Sequence, residues 1–342
     1  MTSAETKRAA QRIGHHVLPL ARSHRQQPCD LCGGTEFEIV AEHDRRGAPL
    51  TTVICNQCGL LSHEQIPTEQ ELAEYYAHEY RQAYHGEYIP SAYRVLREWN
   101  RGRELVRLLH PYLHRADHIV EIGCGMGCTV KNFARAGFKA YGIEPGEGFR
   151  NFAVRKLHAD VRPGMLHDLP ATPMADVILL VHVLEHLPDP TRSLRHVHAM
   201  LKQDGRLYLE VPNAGLPHSA PGKMFHFAHI YNFTRDTLEA MAKKVGFTVQ
   251  ARLGSKRDRN LRLLLRRSDT AAWHWAPDSY QHTLDALTRY STVTYHLRWH
   301  YLHERVATIL RHASNRVLAR RRLQRLLAEE GVGHSPNSLP RR

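Results

Sequence analysis

Residues 119–127 read Ile-Val-Glu-Ile-Gly-Cys-Gly-Met-Gly, and this stretch decides the fold. Its apolar first half is typical of a buried strand, and three alternating glycines follow it directly. Such glycines let the backbone turn sharply and approach a ligand closely, because no Cβ stands in the way. A second strand, residues 139–143, ends at Glu144. That position is about 20 residues beyond the loop, where nucleotide-binding α/β units carry an acid for a ribose. The pattern therefore predicts a nucleotide-type pocket.

Two glycine-loop families share this geometry. The dinucleotide pattern G-x-G-x-x-G needs a glycine at position 128, where this chain has Cys128, and it gives Glu121 no role. The stretch instead resembles the E/D-x-G-x-G-x-G signature of class I S-adenosylmethionine-dependent methyltransferases. The resemblance implies that Glu144 binds both ribose hydroxyls and that Glu121 lies beside the amino group and sulfonium end of the methionine. A glycine-rich turn in another α/β protein is the alternative. The implied cofactor residues are Glu121, Gly123, Cys124, Gly125, Gly127, Glu144, Met165 and His182.

Strands and helices alternate after residue 118, which predicts an α/β fold with a parallel sheet wrapped by helices. The resemblance covers residues 118–266 and implies a Rossmann-like, seven-stranded methyltransferase sheet closed by a hairpin-like pair of strands. Ligands of such sheets lie beyond the carboxyl ends of the strands, so Met165 is expected near the adenine. Predicted helices span residues 127–136, 147–157, 190–202 and 234–245.

Four of the six cysteines form two C-x-x-C pairs, each followed by glycine: Cys29 with Cys32, and Cys55 with Cys58. Two intervening residues let both sulfurs face one ion, and the glycine permits the tight turn that this requires. The pairs predict a structural zinc ribbon with a closed sulfur shell. Disulfides and a redox C-x-x-C are the competing readings. Disulfides are disfavoured in an intracellular chain, and two matched pairs favour zinc over a redox site.

Length and composition limit the remaining possibilities. The 342 residues suffice for one catalytic domain with small appendages. No run of about 18 apolar residues exists, and the basic amino terminus has no signal-peptide core, so a cytoplasmic location is expected. The formal charge is +13, of which residues 296–342 contribute ten arginines against three glutamates. With 26 histidines in the chain, a single histidine means little.

These patterns predict five regions. They are a loosely ordered basic lead (1–25), a zinc ribbon (26–63), a helical connector (64–110), the methyltransferase domain (111–268) and a helical, Arg-rich carboxyl-terminal region (269–342). Tyrosines at 75, 76, 80, 84 and 88 of the connector are read as packing residues that could also wall the active-site mouth.

The fourth strand of the core exits into His182-Val-Leu-Glu185-His186. In this fold that exit is expected beside the transferable methyl. Methyl transfer requires a positioned acceptor and removal of its proton, so His186 is the first candidate base, with Glu185 beside it. The alternative is that both residues only shape the entry to the next helix.

The same run resembles the E-x-x-E-H sequence that binds a divalent ion in ubiquinone-pathway and small-RNA 2′-O-methyltransferases. Here His182 replaces the first acid, which disfavours magnesium and favours a softer ion. Further along, His226, His229 and Tyr231 lie in the long segment after the fifth strand. They are candidates for acceptor recognition or for the base, and core packing is the alternative.

A zinc ribbon joined to this core resembles bacterial methyltransferases of sugar and surface-polysaccharide pathways. The expected acceptor is a hydroxyl or carbon of a sugar, nucleotide sugar or glycan. RNA 2′-O-methylation at a divalent-metal site is the alternative function. A binding module with an inactive core is the third, and the intact Glu121, glycine loop and Glu144 argue against it.

The Arg-rich tail predicts an amphipathic helix over residues 302–317, followed by the arginine triple at 320–322. Three uses are considered: docking on its own domain or a second copy, a contact with the inner face of a membrane, or an RNA clamp. Docking is favoured. The oligomeric state stays open.

Overall fold

The apolar runs of the sequence form the strands of a large sheet, and most of their side chains are buried. The computed structural model describes residues 21–74, 90–216, 219–220, 223–255, 258–268, 273–290, 292–297 and 318–330. The tyrosines of the connector at 75–88, and residues 302–317 of the tail, lie outside the described residues.

Eleven strands are assigned among the described residues. They are β1 (Phe37–His43), β2 (Pro49–Cys55), β3 (Leu61–His63), β4 (His118–Ile122), β5 (Lys139–Ile143), β6 (Val161–Arg162), β7 (Ala175–Val181), β8 (Leu201–Pro212), β9 (Tyr231–Asn232), β10 (Phe247–Leu253) and β11 (Asn260–Arg267). The seven-stranded sheet has the order β10-β11-β8-β7-β4-β5-β6, and a four-stranded sheet has the order β1-β2-β3-β9. In the larger sheet β7, β4, β5 and β6 pair in parallel, whereas β11 is antiparallel to both β8 and β10.

Helices follow the strands in the alternation that the sequence predicts. They are α1 (Glu69–Glu74), α2 (Ala92–Leu109), α3 (Cys128–Arg135), α4 (Glu147–Leu157), α5 (Pro190–Met200), α6 (Arg235–Lys244), α7 (Ser279–Thr288) and α8 (Thr292–His296). Residues 318–330 are also helical and are called the C-terminal helix. The predicted α/β fold with a seven-stranded mixed sheet is confirmed.

The chain divides into two compact units. The cysteine unit comprises Met1–Leu72, His182–Ala199 and Arg206–Glu304, and the glycine-loop unit comprises Ala73–Val181, Met200–Gly205 and Arg305–Arg342. Each is considered by itself below.

In the glycine-loop unit, α2 packs on α3 at very close range. Buried residues of α2 recur every three or four positions, as in an amphipathic helix. Gly102 makes the approach possible, because a Cβ there would lie 3.0 Å from the Cα of Thr129. Asn132 then bonds across the gap, its amide donating to the carbonyl of Trp99 at 3.4 Å. The contact with α2 therefore fixes the position of α3, the helix that begins at the glycine loop.

The C-terminal helix docks on this unit through three leucines. Leu323, Leu326 and Leu327 pack against the buried cluster that includes Trp99 and Met126. Glu330 is 4% exposed and pairs with Lys131 Nζ at 3.2 Å and with Arg135 of α3. Docking on its own domain is therefore the observed arrangement for residues 318–330. The arginines at 320, 321, 322 and 325 are exposed.

In the cysteine unit, the ribbon strands share one apolar core with later parts of the chain. Ile54 and Leu61 pack with Met224 and Phe225, and Leu284 of α7 closes the cluster. Strand β3 also pairs with β9 in register, Leu61 opposite Asn232 and Ser62 opposite Tyr231. The ribbon is therefore an integral part of this unit.

Two boundaries differ from the sequence-based expectation. Residues 21–25, assigned to a loose lead, bond to the ribbon: Ser23 N–H donates to the Phe37 carbonyl, and Arg25 donates to the His63 carbonyl. The helix predicted to end at 202 ends at Met200, because the chain turns directly into β8 at the fully buried Leu201.

Across the described residues, no helix has the length and apolar character needed to cross a membrane.

Candidate functional site

The glycine loop leaves the carboxyl end of β4 and enters α3 through three residues with positive φ. Gly123, Gly125 and Gly127 have φ values of 67°, 55° and 69°. A Cβ on Gly127 would lie 2.9 Å from Val161, so this position needs glycine for packing. A Cβ on Gly125 would meet nothing within 4 Å, so the backbone there borders open space. The loop thus presents bare backbone to a ligand.

Glu144 follows β5 and is held by backbone amides. Its carboxylate accepts from the Gly125 N–H at 3.0 Å and from the Gly146 N–H at 2.8 Å. The residue is 8% exposed. One of these amides belongs to the glycine loop, so the loop and the acid are positioned together. This is the arrangement expected of an acid that receives ribose hydroxyls.

Glu121 on β4 is the most unusual group of this unit. It is 5% exposed, and its Oε2 is buried with no hydrogen-bond partner. Burial raises the pKa of this carboxyl to about 8, although the Arg101 guanidinium acts in the opposite direction. A buried carboxylate oxygen without a donor is costly unless a ligand supplies one. A cationic amino group would fit it.

The other predicted cofactor residues fall in different surroundings. Cys124 and Cys128 are buried, and burial raises the pKa of both thiols, so they pack as small neutral groups. The Cys124 sulfur occupies the space above Gly142, where any Cβ would collide with it. Met165 is 40% exposed at its strand exit. His182 belongs to the cysteine unit, and its contacts are described below.

These residues fit S-adenosylmethionine. The unpartnered oxygen of Glu121 suits a positively charged amino group, and the amide-held Glu144 suits a diol. The open backbone at Gly125 allows close approach of a ligand. The individual contacts remain predictions carried by the resemblance.

The cysteine unit brings together a second group of polar side chains. Ligand atoms of Glu185, His186 and His229 all lie within 4.8 Å of one another. The rings of His186 and His229 are 4.9 Å apart, and those of His226 and His229 are 3.8 Å apart. A tight turn explains the second pair, since the His229 N–H donates to the His226 carbonyl. The four predicted catalytic residues therefore form one cluster.

His186 has a defined ring orientation in this cluster. Its Nδ1 lies 2.5 Å from the carbonyl of Ala228, which can only accept, so Nδ1 carries the hydrogen. Burial lowers the pKa of His186, and Nε2 therefore carries a lone pair. That nitrogen is 3.9 Å from Glu185 Oε1.

Tyr231, the third candidate of the acceptor segment, is a packing residue in the structure. It is 2% exposed, its hydroxyl donates to the Pro188 carbonyl at 3.2 Å, and burial raises its pKa.

The sequence did not predict three polar residues beside the cluster: Tyr208, Glu210 and Asn260. Glu210 is 2% exposed on β8 and accepts from the Tyr208 hydroxyl at 2.6 Å and from the Asn260 amide at 2.6 Å. His182 connects this pair to Glu185. The available signal was a single acid inside the apolar strand Leu207–Val211, a position where burial requires partners.

The four ribbon cysteines meet in one cluster. Their sulfurs lie within 4.8 Å of one another, with Cys29 to Cys58 at 3.5 Å and Cys32 to Cys55 at 3.4 Å. Four sulfurs around a tetrahedral zinc at about 2.3 Å would be spaced by about 3.8 Å. Both knuckles close in the same way: the Gly33 and Gly59 amides donate to the carbonyls of Cys29 and Cys55. The donor set fits zinc, which stays a prediction.

The ribbon also holds the segment that carries His226 and His229. His63 on β3 is 1% exposed, and burial lowers its pKa to about 4. Its Nε2–H donates to the Phe227 carbonyl at 3.0 Å, and its backbone N–H donates to the Ile230 carbonyl at 2.9 Å. The turn from His226 to His229, called the histidine turn, is therefore fixed to the ribbon at two points, Phe227 and Ile230.

Part of the chain is similar to known methyltransferases. Residues 92–252, just under half of the chain, match a family model described as a methyltransferase domain. A ubiquinone biosynthesis O-methyltransferase of Paramagnetospirillum magneticum is 35% identical over 94 residues, which are 25% of this chain and 37% of the relative. The Pseudomonas aeruginosa protein of the same name is 32% identical over 105 residues, covering 28% and 44%. The chain thus spans about two fifths of these relatives.

Solved structures of methyltransferases are similar to this chain at low identity. A 1,6-didemethyltoxoflavin-N1-methyltransferase of Burkholderia thailandensis is 19% identical with a TM-score of 0.48, over 64% of this chain and 96% of that one. A magnesium protoporphyrin IX methyltransferase of Synechocystis PCC 6803 is 16% identical with a TM-score of 0.45, over 59% and 100%.

The strand order and the glycine loop agree with the methyltransferase domain that residues 92–252 match.

Proposed function

We propose that this protein methylates a hydroxyl group of a small polar molecule, using S-adenosylmethionine. The observation that carries the donor half is the buried, unpartnered oxygen of Glu121 beside a glycine loop whose amide holds Glu144. The acceptor half is supported by the cluster of Glu185, His186 and His229.

The bound donor supplies a methyl group on a positively charged sulfur. The protein must then hold the acceptor in line and remove its proton. His186 is suited to this step, since its Nδ1–H is fixed on the Ala228 carbonyl and its Nε2 carries the lone pair. Glu185, at 3.9 Å, would stabilise the imidazolium that forms. His226 and His229 would orient the acceptor by hydrogen bonds.

A hydroxyl acceptor is favoured over carbon because the curated relatives that match the core are named O-methyltransferases. The sugar, nucleotide sugar or glycan expected from the sequence has no support in those names. The acceptor class is therefore widened from sugars to small polyhydroxylated molecules, and sugars remain members of that class.

A direct test measures methyl incorporation from labelled S-adenosylmethionine into separate pools of nucleotide sugars, monosaccharides, polyhydroxylated aromatics and total RNA. The proposal expects label in one of the small-molecule pools. In that pool, His186→Gln should lower kcat by about 10²–10⁴-fold, the usual contribution of a general base. Donor affinity should stay constant, because Glu121 and Glu144 are untouched. Label in RNA alone would refute the small-molecule acceptor.

A second candidate is metal-assisted methylation, for which RNA 2′-O-methylation is the expected form. The specific observation is again the Glu185, His186 and His229 donor set. These three residues would hold a divalent ion, which would acidify the acceptor hydroxyl in place of a histidine base. Two imidazoles favour an ion softer than magnesium. Elemental analysis separates the candidates: ribbon zinc alone predicts one ion per chain, and this alternative predicts two.

A further inference from the structure

A connected chain of polar side chains runs through the cysteine unit and ends at Glu185. The Tyr208 hydroxyl donates to one oxygen of Glu210, and the Asn260 amide donates to the other, both at 2.6 Å. The same amide nitrogen lies 3.2 Å from His182 Nε2. His182 Nδ1 lies 3.1 Å from Glu185 Oε1. Three side chains, Glu210, Asn260 and His182, thus link Tyr208 to Glu185.

The direction of the hydrogen bonds along this chain is determined by chemistry. A carboxylate accepts only, so the Asn260 amide must turn its NH₂ group toward Glu210, because its oxygen at 2.6 Å would repel the carboxylate. The second hydrogen of the same NH₂ then points at His182 Nε2. An NH₂ group cannot accept, so Nε2 must be the acceptor. The single ring hydrogen of His182 is therefore on Nδ1, where it donates to Glu185.

The backbone supports this arrangement. His182 has a φ of 55°, a left-handed conformation that few residues other than glycine adopt. Its N–H donates to the Glu210 carbonyl at 2.9 Å. Glu210 therefore holds His182 twice, through its main chain and, by way of Asn260, through its side chain. Arg262 Nε, 3.5 Å from Glu210 Oε1, balances the charge of the buried carboxylate.

Glu185 is left with one oxygen for another use. It is 1% exposed, and its Oε2 is buried without a hydrogen-bond partner. A buried carboxylate oxygen without a hydrogen-bond donor lowers the stability of the fold, unless a ligand supplies the donor. If the ring hydrogen of His182 moved to Nε2, two lone pairs would face each other across 3.1 Å and Glu185 would rotate.

We infer that Glu210 and Asn260 are positioning residues for methyl transfer. The Glu210 carboxylate orients the Asn260 amide, the amide holds His182 in its Nδ1–H form, and His182 fixes the Glu185 carboxylate, whose Oε1 lies 3.9 Å from His186 Nε2. The role of Glu185 beside His186 rests on the proposed function, whereas the tautomer of His182 does not.

The tautomer is measured first, on the full-length protein at pH 7. Long-range ¹⁵N–¹H correlation spectra of histidine-labelled protein distinguish Nδ1–H, Nε2–H and doubly protonated rings, and the signal absent from His182→Gln assigns the residue. The inference expects the neutral Nδ1–H pattern. An Nε2–H or doubly protonated His182 would overturn it, whether or not an acceptor is known.

Asn260→Ala then removes the contact, since it takes away the donor at Nε2 and adds no charge beside Glu210. With the amide gone, His182 Nε2 faces the Glu210 carboxylate, 3.7 Å away, so His182 should lose the pure Nδ1–H pattern. Asn151→Ala is the matched control, because Asn151 also donates to a glutamate, Glu147, but on the exposed face of α4. It should leave the His182 signal unchanged. An unchanged His182 signal in Asn260→Ala would contradict the inference.

Kinetics test the positioning role in whichever small-molecule pool accepts label. Asn260→Ala should lower kcat by about 10–100-fold, the range for residues that orient a functional group through a hydrogen bond. The dissociation constant of S-adenosylmethionine should not change. An altered tautomer with unchanged kcat would refute the positioning role. A wild-type protein inactive on every pool, with the Nδ1–H pattern intact, would instead count against the proposed function alone.

Discussion

Replacing Glu121 by glutamine tests the donor pocket through the pH dependence of cofactor binding. In the free protein, burial raises the pKa of Glu121 to about 8. Below that pH the carboxyl is mainly protonated, and a cationic amino group must drive off the proton to pair with it. At pH 7 this costs about 1.4 kcal/mol, and at pH 6 about 2.7 kcal/mol. Affinity for S-adenosylmethionine should therefore increase about ninefold from pH 6 to 7 and about fivefold from 7 to 8.

Calorimetric titration in two buffers with different ionisation enthalpies measures both affinity and proton release. Wild-type protein should release about 0.9 proton from this site at pH 7. Glu121→Gln cannot ionise, so its affinity should lack this pH dependence and should be about 10–100-fold weaker at pH 8, where a charge-assisted hydrogen bond is lost. Since the ligand's own ionisation is common to both proteins, the ratio of their affinities isolates Glu121. A ratio that stays constant from pH 6 to 8 would refute the reasoning.

Three further outcomes are expected. Gly59→Ala should destabilise the protein by several kcal/mol more than Gly33→Ala in chemical denaturation, because both have positive φ but only a Cβ at 59 would lie 2.6 Å from the Ser279 carbonyl; equal losses would contradict the packing of the second knuckle. Glu330→Ala should lower the free energy of unfolding by about 3 kcal/mol, because it leaves the buried Lys131 without its carboxylate, whereas the exposed neighbour changed in Glu329→Ala should cost less than about 0.5 kcal/mol. Elemental analysis should find zinc lost in Cys32→Ser and retained in Cys124→Ser, and retention in both would remove the ribbon assignment.

Local spacing explains why parts of the site were predictable. The glycine loop and its acid are separated by one strand and one helix, and a Cys-x-x-Cys pair needs only one turn, so both follow from short-range backbone geometry. The structure places the Gly125 amide on Glu144 and closes the four sulfurs in one cluster, in agreement with those patterns. The run from His182 to His186 was also recognisable, because its members are neighbours in sequence.

Hydrogen-bond partners that are distant in sequence could not be predicted from the sequence. His186 bonds to Ala228, 42 residues later, and Glu210 meets Asn260, 50 residues later. The sequence around an Asn at the start of a strand does not distinguish an amide that positions a histidine from an ordinary surface residue. The abundance of histidine hid the cluster as well, since the pairing of His186 with His229 depends on the path of the segment between β8 and α6.

The amino-acid order alone determined the sheet, the glycine loop and the two cysteine knuckles, because periodicity and turn chemistry act over a few residues. Only the tertiary structure decided which carboxylate oxygens lack a hydrogen-bond donor and which ring nitrogen of His182 carries its hydrogen. It also decided how His63 of the ribbon binds the histidine turn. Those properties arise from burial and from the alignment of strands far apart in the chain, and a linear pattern does not encode either until the strands have paired.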